Sequence, residues 1–402
     1  METYTLPPES GTAEASAATA DESMTPLPAD VERVSILIVN AYFVGAYGAP
    51  DRQWALVDAG LPYSAHHIAS AAEERFGPDS RPAAIVLTHG HFDHVGALQT
   101  LAEQWDVPIY AHELELPYLK GMSSYPPPDP TVGGGLMARL SPLYPKGPYD
   151  FSGRISAMPA DGSVPGMPGW RWIHTPGHSP GHVSFFRDAD RTVIAGDAFV
   201  TTKQESAWAA MTHPKEIHGP PAYFTPDWKS AAESVRKLAR LVPMAAFTGH
   251  GLPMVGRRLT HDLNLLADKF WEMAVPPHGR YVGRPALTDV TGVVAVPPPA
   301  PDPVAKVATG AAIAVGVAAA GGALYYLAKK RAARPENRAV ADHRRLRRLA
   351  QEFNEQYPRL IREAKSIDLD AVREEIKAKE YAYGKEKTPV EPIRSRARTC
   401  AR

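Results

Sequence analysis

The chain has 402 residues, of which 44% are hydrophobic and 22% charged, so it can bury a large core and still carry additional segments. Its formal net charge is +0, which excludes a strong overall field that would attract nucleic acid. The single cysteine, Cys400, excludes a disulfide framework and a thiolate metal site within one chain. Any metal ion must therefore be bound by nitrogen and oxygen atoms.

The chain is predicted to begin with a disordered acidic arm, residues 1–33. Ala, Ser, Thr, Glu and Pro dominate it and leave little to bury. It has no basic start and no apolar core, so we expect no secretory signal here. The ordered domain is predicted to begin at residue 34.

The first ordered segments are predicted to form a hairpin. Residues 35–44 and 54–60 are apolar and are separated by a turn. Asp58 lies near the end of the second of these strands, where a carboxylate could orient a metal-bound histidine through its free ring nitrogen. The alternative for Asp58 is an ordinary turn aspartate.

The strongest signal is the sequence T-H-G-H-F-D-H, which begins at residue 88. It follows a predicted buried strand at 84–87 and precedes a helix opening. Residues two apart in an extended turn face the same way, so His89 and His91 can bind one ion while Asp93 and His94 reach a neighbouring site. Imidazole and carboxylate groups are the usual ligands of zinc and iron. The alternative is a solvated His-rich loop.

Residues 117–151 form a long insertion rich in Pro, Gly and Tyr. Such an insertion in a compact domain is typical of a lid or a substrate-binding wall. Tyr125, Met137, Leu140 and Tyr144 would give that wall an apolar lining. A surface loop packed on itself is an equally good interpretation.

Three more predicted strand ends each deliver a metal-binding side chain. His178 lies in a tight Pro-Gly turn, Asp197 ends an apolar strand after Gly196, and His250 ends another after Gly249. His174 and His182 flank the first turn and are predicted to be core residues or to support the ligands. The recurrence at successive strand ends favours one shared site.

These motifs resemble the metallo-β-lactamase superfamily, in particular its glyoxalase-like dinuclear branch. The resemblance implies an α/β fold, an αββα sandwich over residues 34–275, with a metal pair in a cleft between the sheet edges. It further implies that one ion is bound by His89, His91 and His178, that the other is bound by Asp93, His94 and His250, and that Asp197 bridges them while Asp58 supports the ligands.

The expected cofactors are two divalent metal ions, with zinc preferred and iron or manganese as alternatives. The expected reaction is hydrolysis of a small ester, lactone or thioester by a hydroxide that bridges the metals, with Asp93 and Asp197 as catalytic residues. The segment after Asp197 lacks the Cys-Gly-Arg signature of glutathione-thioester hydrolases, and Val200 replaces the tyrosine of acyl-homoserine lactonases. Lys203 and Tyr223 could contact a substrate, although ordinary surface or wall positions are favoured for both.

Three alternatives remain open at this point. The same metal pair could hydrolyse phosphodiesters, one iron per chain could support a mononuclear oxygenase acting on sulfur compounds, or the fold could be a non-catalytic membrane scaffold. The partner is expected to be a small molecule and not nucleic acid, because no basic groove accompanies the motifs.

The C-terminal third is predicted to lie outside the catalytic domain. Residues 276–306 are predicted to form a Pro-rich linker, and residues 307–328 are predicted to form a transmembrane helix. Residues 329–402 are predicted to form a basic, partly helical tail. The stretch 307–328 is uncharged but mostly Ala and Gly, so a soluble helix or an interfacial segment is the alternative. We expect a membrane-associated protein with its catalytic domain in the cytoplasm.

Overall fold

The computed structural model describes residues 26–133, 135–204 and 216–300. In these residues two β-sheets pack face to face, and helices cover their outer faces. The predicted mixed α/β fold is confirmed. The layers, in order, are helices, sheet, sheet and helices.

The first sheet has six strands in chain order, and it changes from antiparallel to parallel pairing at its third strand. Its strands are β1 (Val31–Ile36), β2 (Val39–Val44), β3 (Ala55–Val57), β4 (Ala84–Val86), β5 (Ile109–Ala111) and β6 (Ile155–Ala157). The helices that accompany it are α1 (Ala65–Phe76), α2 (Phe92–Val95) and α3 (Leu98–Trp105). Strand β2 is buried along its whole length because both of its faces are covered.

The insertion contains two short helices, α4 (Leu116–Leu119) and α5 (Leu136–Leu140). The second sheet follows, with strands β7 (Trp170–His174), β8 (Val183–Arg187), β9 (Thr192–Gly196), β10 (Ala245–Thr248) and β11 (Met254–Val255). Their order is β11-β10-β9-β8-β7, and only the pair β9 and β10 is parallel. Its outer face is covered by α6 (Trp228–Arg240), α7 (Gly256–Asp268) and α8 (Phe270–Met273).

Three apolar clusters hold the layers together. Side chains of the two sheets interdigitate in the middle, for example Tyr42, whose ring meets that of Phe247 edge-on at 5.5 Å. Trp54 anchors the cluster between the first sheet and its helices, and its ring stacks on Phe76 at 4.3 Å. On the other side α6 buries residues at three- and four-residue spacing, as an amphipathic helix does.

The N-terminal part differs from the prediction in two respects. Strand β1 begins at Val31, inside the segment expected to be a disordered arm, because Val31, Val34 and Ile36 bury their side chains against the sheet. The apolar run 35–44 is not one strand: a turn at Leu37, whose φ is 56°, separates β1 from β2. Residues 1–25 lie outside the described residues.

Residues 276–300, predicted as a linker, belong to the folded domain. They contain a hairpin of β12 (Leu287–Asp289) and β13 (Gly292–Ala295). The segment packs on the insertion: the Tyr281 hydroxyl donates to the Pro127 carbonyl at 2.6 Å, and the Val293 amide donates to Ser123 Oγ at 3.1 Å. The linker prediction is wrong here because it rested on proline content, whereas Tyr281 is buried.

No helix in the described part of the chain is long and apolar enough to cross a bilayer. The transmembrane helix predicted at 307–328 and the tail at 329–402 lie outside the described residues. Both stay predictions.

Candidate metal centre

Five strand ends at one edge of the sandwich carry the predicted site residues. Asp58 follows β3, the His-rich turn follows β4, His178 follows β7, Asp197 follows β9 and His250 follows β10. These strands run in the same direction within each sheet, so their carboxyl ends meet at one edge. In open α/β sheets, substrates and cofactors bind at the edge formed by the carboxyl ends of the strands.

The structure brings all seven predicted metal ligands together. They form three overlapping groups in which the ligand atoms lie within 4.8 Å of one another. The groups are His89, His91 and His178; His89, His94 and Asp197; and Asp93, His94 and His250. All seven side chains are buried, although they come from segments up to 161 positions apart (250 − 89).

The carboxylate of Asp197 lies between the two sets of histidines. Its Oδ2 atom is 3.3 Å from His178 Nε2, 3.1 Å from His250 Nε2 and 3.7 Å from His94 Nε2. One of these histidines belongs to the first predicted metal site and two belong to the second. Asp197 therefore lies between the two predicted groups of metal ligands.

Buried polar atoms without a hydrogen-bond partner show that the cluster of seven side chains fits a cation. His89 Nε2, His94 Nε2 and Asp197 Oδ1 are buried and have no hydrogen-bond partner among the described residues. A buried acceptor without a partner costs about 1–3 kcal/mol. Nitrogen and oxygen lone pairs converging in this way form the ligand set of a divalent ion such as zinc.

Asp58 fixes the ring orientation of two ligands. Its Oδ2 accepts a hydrogen bond from His94 Nδ1 at 2.8 Å and another from Thr88 Oγ1 at 2.7 Å. Because the Thr88 hydroxyl donates its hydrogen bond to Asp58, its oxygen accepts a hydrogen bond from His89 Nδ1 at 3.0 Å. Both histidines are thereby protonated on Nδ1, which leaves Nε2 free to bind a metal ion.

Two further contacts orient His250 and Asp197, which follow strands of the second sheet. His250 Nδ1 donates to the Ile38 carbonyl at 2.6 Å, which leaves His250 Nε2 as the ligand atom. His182 Nε2 accepts from the Asp197 amide at 2.9 Å, so His182 supports the carboxylate and is not a ligand itself. His174 lies apart, stacked on His112 with ring centroids 4.2 Å apart.

The protonation equilibria favour neutral histidines in the first group. Burial, with the neighbouring histidines, lowers the pKa of His89 and His178 well below the ordinary value and lowers the pKa of His91 to about 3. Burial also acts to lower the pKa of His94, but Asp58 and Asp197 outweigh it and raise that pKa. A neutral imidazole is the form that binds metal ions.

Glycine at 249 is required by the close approach of the ligands. A Cβ atom there would lie 2.0 Å from Asp197 Oδ1 and 2.8 Å from His94 Cε1. The lack of a side chain at Gly249, directly before His250, is therefore a steric requirement of the site.

Sequence reasoning missed one buried carboxylate beside the site. Glu115, on a turn after β5, accepts hydrogen bonds from the amides of Gly90 and Gly181 and from the hydroxyls of Ser179 and Tyr125. Its signal in the sequence was an acidic residue inside an otherwise apolar stretch, residues 114–119.

The insertion supplies part of an aromatic wall beside the metal ligands. Tyr144 stacks on Phe92 with centroids 5.2 Å apart, and Phe224 stacks on His91 at 4.7 Å. Phe92, Tyr144 and Met137 are partly exposed, whereas Tyr125 and Leu140, also predicted to line the wall, are buried. Tyr223 is buried against Tyr144, and Lys203 is exposed.

Fold and site together define a class of protein, a mixed α/β metalloprotein whose ligands are histidines and aspartates at the edges of two sheets. A family model described as "Metallo-beta-lactamase superfamily" matches residues 34–250, more than half of the chain. The chain belongs to this superfamily, which confirms the resemblance seen in the sequence. The protein is an enzyme, a metal-dependent hydrolase.

The chain is similar to several individual proteins. "Probable metallo-hydrolase YflN" of Bacillus subtilis is 48% identical over 239 residues, which cover 60% of this chain and 90% of that protein. "Hydroxyacylglutathione hydrolase GloC" of Haemophilus influenzae is 28% identical over 113 residues, 28% of this chain and 48% of that protein. The crystal structure of BLEG-1 B3 metallo-beta-lactamase is 22% identical, with a TM-score of 0.40, and covers 59% of this chain and 96% of its own.

Proposed function

We propose that this enzyme binds two divalent metal ions and hydrolyses a small ester, lactone or thioester. The observation that carries the proposal is the position of Asp197, whose Oδ2 atom lies within 4 Å of His178, His94 and His250. A carboxylate that close to histidines of both groups is arranged to be shared between two ions.

The ligands divide into two sets on this proposal. His89, His91 and His178 would hold one ion, Asp93, His94 and His250 would hold the other, and Asp197 would bridge them. When bound there, such ions would supply a water molecule of lowered pKa and would polarise the scissile carbonyl group. Zinc suits these nitrogen and oxygen donors, and iron or manganese would also suit them.

The side chains of the site set the remaining requirements. The clustered ligand side chains are histidines and aspartates, and the proposed hydrolysis would proceed without a covalent enzyme intermediate. Asp93 and Asp197 are the two carboxylates at the reacting position. Asp58, Ile38 and His182 hold the ligands, so little reorganisation is needed when the substrate binds.

The aromatic wall supports an acyl substrate over a highly charged one. Phe92, Tyr144 and Phe224 lie beside the His-rich turn and would cover the apolar part of a bound acyl group. The name of one relative, a hydroxyacylglutathione hydrolase, agrees with hydrolysis of an acyl group.

The test combines metal analysis with a substrate panel. We expect two metal ions per chain and faster hydrolysis of p-nitrophenyl esters, lactones or thioesters than of bis-p-nitrophenyl phosphate. Asp197→Ala should abolish hydrolysis and release one ion, because it removes the shared carboxylate. One iron per chain, or a faster rate on the phosphodiester, would contradict the proposal.

A further inference from the structure

Glu115 lies at the point where three segments of the domain meet. Its side chain is fully buried, with 0% of its surface exposed. One carboxylate oxygen, Oε1, accepts from Ser179 Oγ at 2.7 Å and from the Gly181 amide at 2.8 Å. The other, Oε2, accepts from the Gly90 amide at 2.9 Å and from the Tyr125 hydroxyl.

These four donors belong to the two turns that carry His91 and His178 and to the insertion. Gly90 lies between His89 and His91, and Ser179 follows His178 directly. His91 Nδ1 and His178 Nε2 are 2.9 Å apart, so the distance between these two turns decides whether both can reach one ion. Tyr125 adds a second link, because its ring contacts the ring of His91 with centroids 4.7 Å apart.

We propose that Glu115 is a positioning residue that fixes the spacing of His91 and His178 and so selectively sets the affinity for the ion bound by His89, His91 and His178. The inference rests on the metal sites of the proposed function, but not on its substrate. The second set of ligands is held by other groups: His94 by Asp58, and His250 by the Ile38 carbonyl. Loss of Glu115 should therefore leave that ion in place.

The informative variant is Glu115→Gln, which keeps the size and removes one acceptor. Each carboxylate oxygen faces a backbone amide that can only donate, Gly181 at Oε1 and Gly90 at Oε2. Whichever way the glutamine amide is turned, its NH2 group meets one of these N–H groups. One of the two ligand-bearing turns must then move.

The matched control is Glu113→Gln, two residues earlier on the same turn, where the side chain is exposed. A milder variant, Ser179→Ala, keeps the carboxylate and removes one donor beside His178. It also serves as the test if Glu115→Gln fails to fold. His178→Ala removes a ligand of the affected site and provides a background in which only the other ion should bind.

The experiment measures the affinities of both ions in the full chain, by competition with a chelator and by the absorption spectrum of the cobalt-loaded protein. In Glu115→Gln we expect one ion to bind roughly 10- to 100-fold more weakly, as for other residues that support metal ligands. The affinity of the other ion should match that of Glu113→Gln. The melting temperature of the metal-free protein should be lower than that of Glu113→Gln, because one buried N–H group loses its acceptor. Ser179→Ala should weaken the same ion to a smaller extent. In the His178→Ala background, Glu115→Gln should have no further effect.

Equal weakening of both ions, unchanged affinities, or a further loss in the His178→Ala background would overturn the positioning role. If the unmodified chain binds no metal, both this inference and the proposed function fail. If it binds two ions and hydrolyses none of the panel, only the proposed reaction fails.

Discussion

At the scale of single residues, Asp58 has the widest influence on the metal ligands. One carboxylate oxygen sets the protonated nitrogen of His94 directly and that of His89 through Thr88. Its other oxygen accepts from the Thr88 amide at 2.7 Å. A side chain that binds no metal itself thus decides which ring nitrogen two ligands present.

Replacing Asp58 with Asn should weaken metal binding without unfolding the protein. The amide NH2 group must face either the Thr88 amide or His94 Nδ1, and neither can be satisfied in the present arrangement. We expect metal affinity and kcat/KM to fall roughly 10- to 100-fold. The control is Asp79→Asn, since Asp79 is exposed and shares the left-handed backbone of Asp58, with φ of 60° and 59°. Equal metal affinity in the two variants would contradict this role.

Gly249→Ala tests the steric requirement at the end of β10. The added methyl group would overlap Asp197 Oδ1, so the carboxylate or the strand end has to shift. Because catalysis tolerates little misplacement, we expect kcat to fall by about 100-fold or more. Gly153→Ala is the matched control, because no atom lies within 4 Å of its added Cβ. The two variants are compared by steady-state kinetics and metal content.

The seven candidate ligands could be predicted because each lies at a strand end or, for Asp93 and His94, in the short helix that follows one, where local pattern and metal chemistry agree. Glu115 could not be predicted from the same information. Its partners Gly90 and Gly181 lie on either side of it in the sequence, and only the fold brings them to one carboxylate. Local pattern reports a strand end, whereas a buried polar contact depends on packing between distant segments.

At the scale of elements, the insertion contributes aromatic side chains beside the candidate metal ligands. Its tyrosines act on two levels. Tyr125 is buried, its ring contacts the ring of His91, and its hydroxyl donates a hydrogen bond to Glu115. Tyr144, in contrast, is partly exposed and stacks on Phe92. The sequence predicted an apolar wall but could not distinguish the supporting side chains from the lining ones, because both are aromatic residues in a Pro-rich segment.

Tyr144→Ala should reduce the preference for longer acyl chains. Burying one methylene group contributes about 0.8 kcal/mol, or about fourfold in kcat/KM for each CH2 that the wall covers. We expect kcat/KM of the unmodified enzyme to rise from acetyl to hexanoyl p-nitrophenyl esters, and the rise to flatten in the variant. Tyr47→Ala, at a side chain that is 76% exposed, is the control. The same slope in all three proteins would show that Tyr144 does not contact the acyl chain.

Element boundaries were harder to predict than element types. The turn between β1 and β2 contains Leu37, an apolar residue in a left-handed conformation, and no Gly or Pro marks it. The ladder between β1 and β2 and the burial of Val31 override the local signal. Tertiary contacts of this kind cannot be read from a window of a few residues.

At the scale of the whole molecule, the folded domain continues to the hairpin of β12 and β13. Residues 276–300 form hydrogen bonds with Ser123 and Pro127 of the insertion. They therefore help to hold the insertion, which supplies part of the aromatic wall beside the candidate metal ligands. The prediction of membrane attachment concerns residues 307–328, which follow the hairpin in the sequence. The two segments can therefore be separated experimentally.

Two truncated chains test these roles. A chain ending at Ala300 should keep the melting temperature and kcat/KM of the full chain but no longer sediment with lipid vesicles, if residues 307–328 bind a bilayer. A chain ending at Val275 should also lose thermal stability, because it lacks the buried Tyr281 and its hydrogen bond to Pro127. Truncation of buried aromatic side chains costs about 3–5 kcal/mol. Equal melting temperatures of the two truncated chains would argue against a structural role of the hairpin.

The metal ligands belong to both sheets: His89, His91, Asp93 and His94 follow β4, whereas His178, Asp197 and His250 follow strands of the second sheet. An ion bound by residues of both groups would cross-link the two sheets. Its contribution to folding grows with the free metal concentration, by about 1.4 kcal/mol for each tenfold excess over the dissociation constant. A shortage of metal would then lower both the free energy of unfolding and the hydrolytic activity.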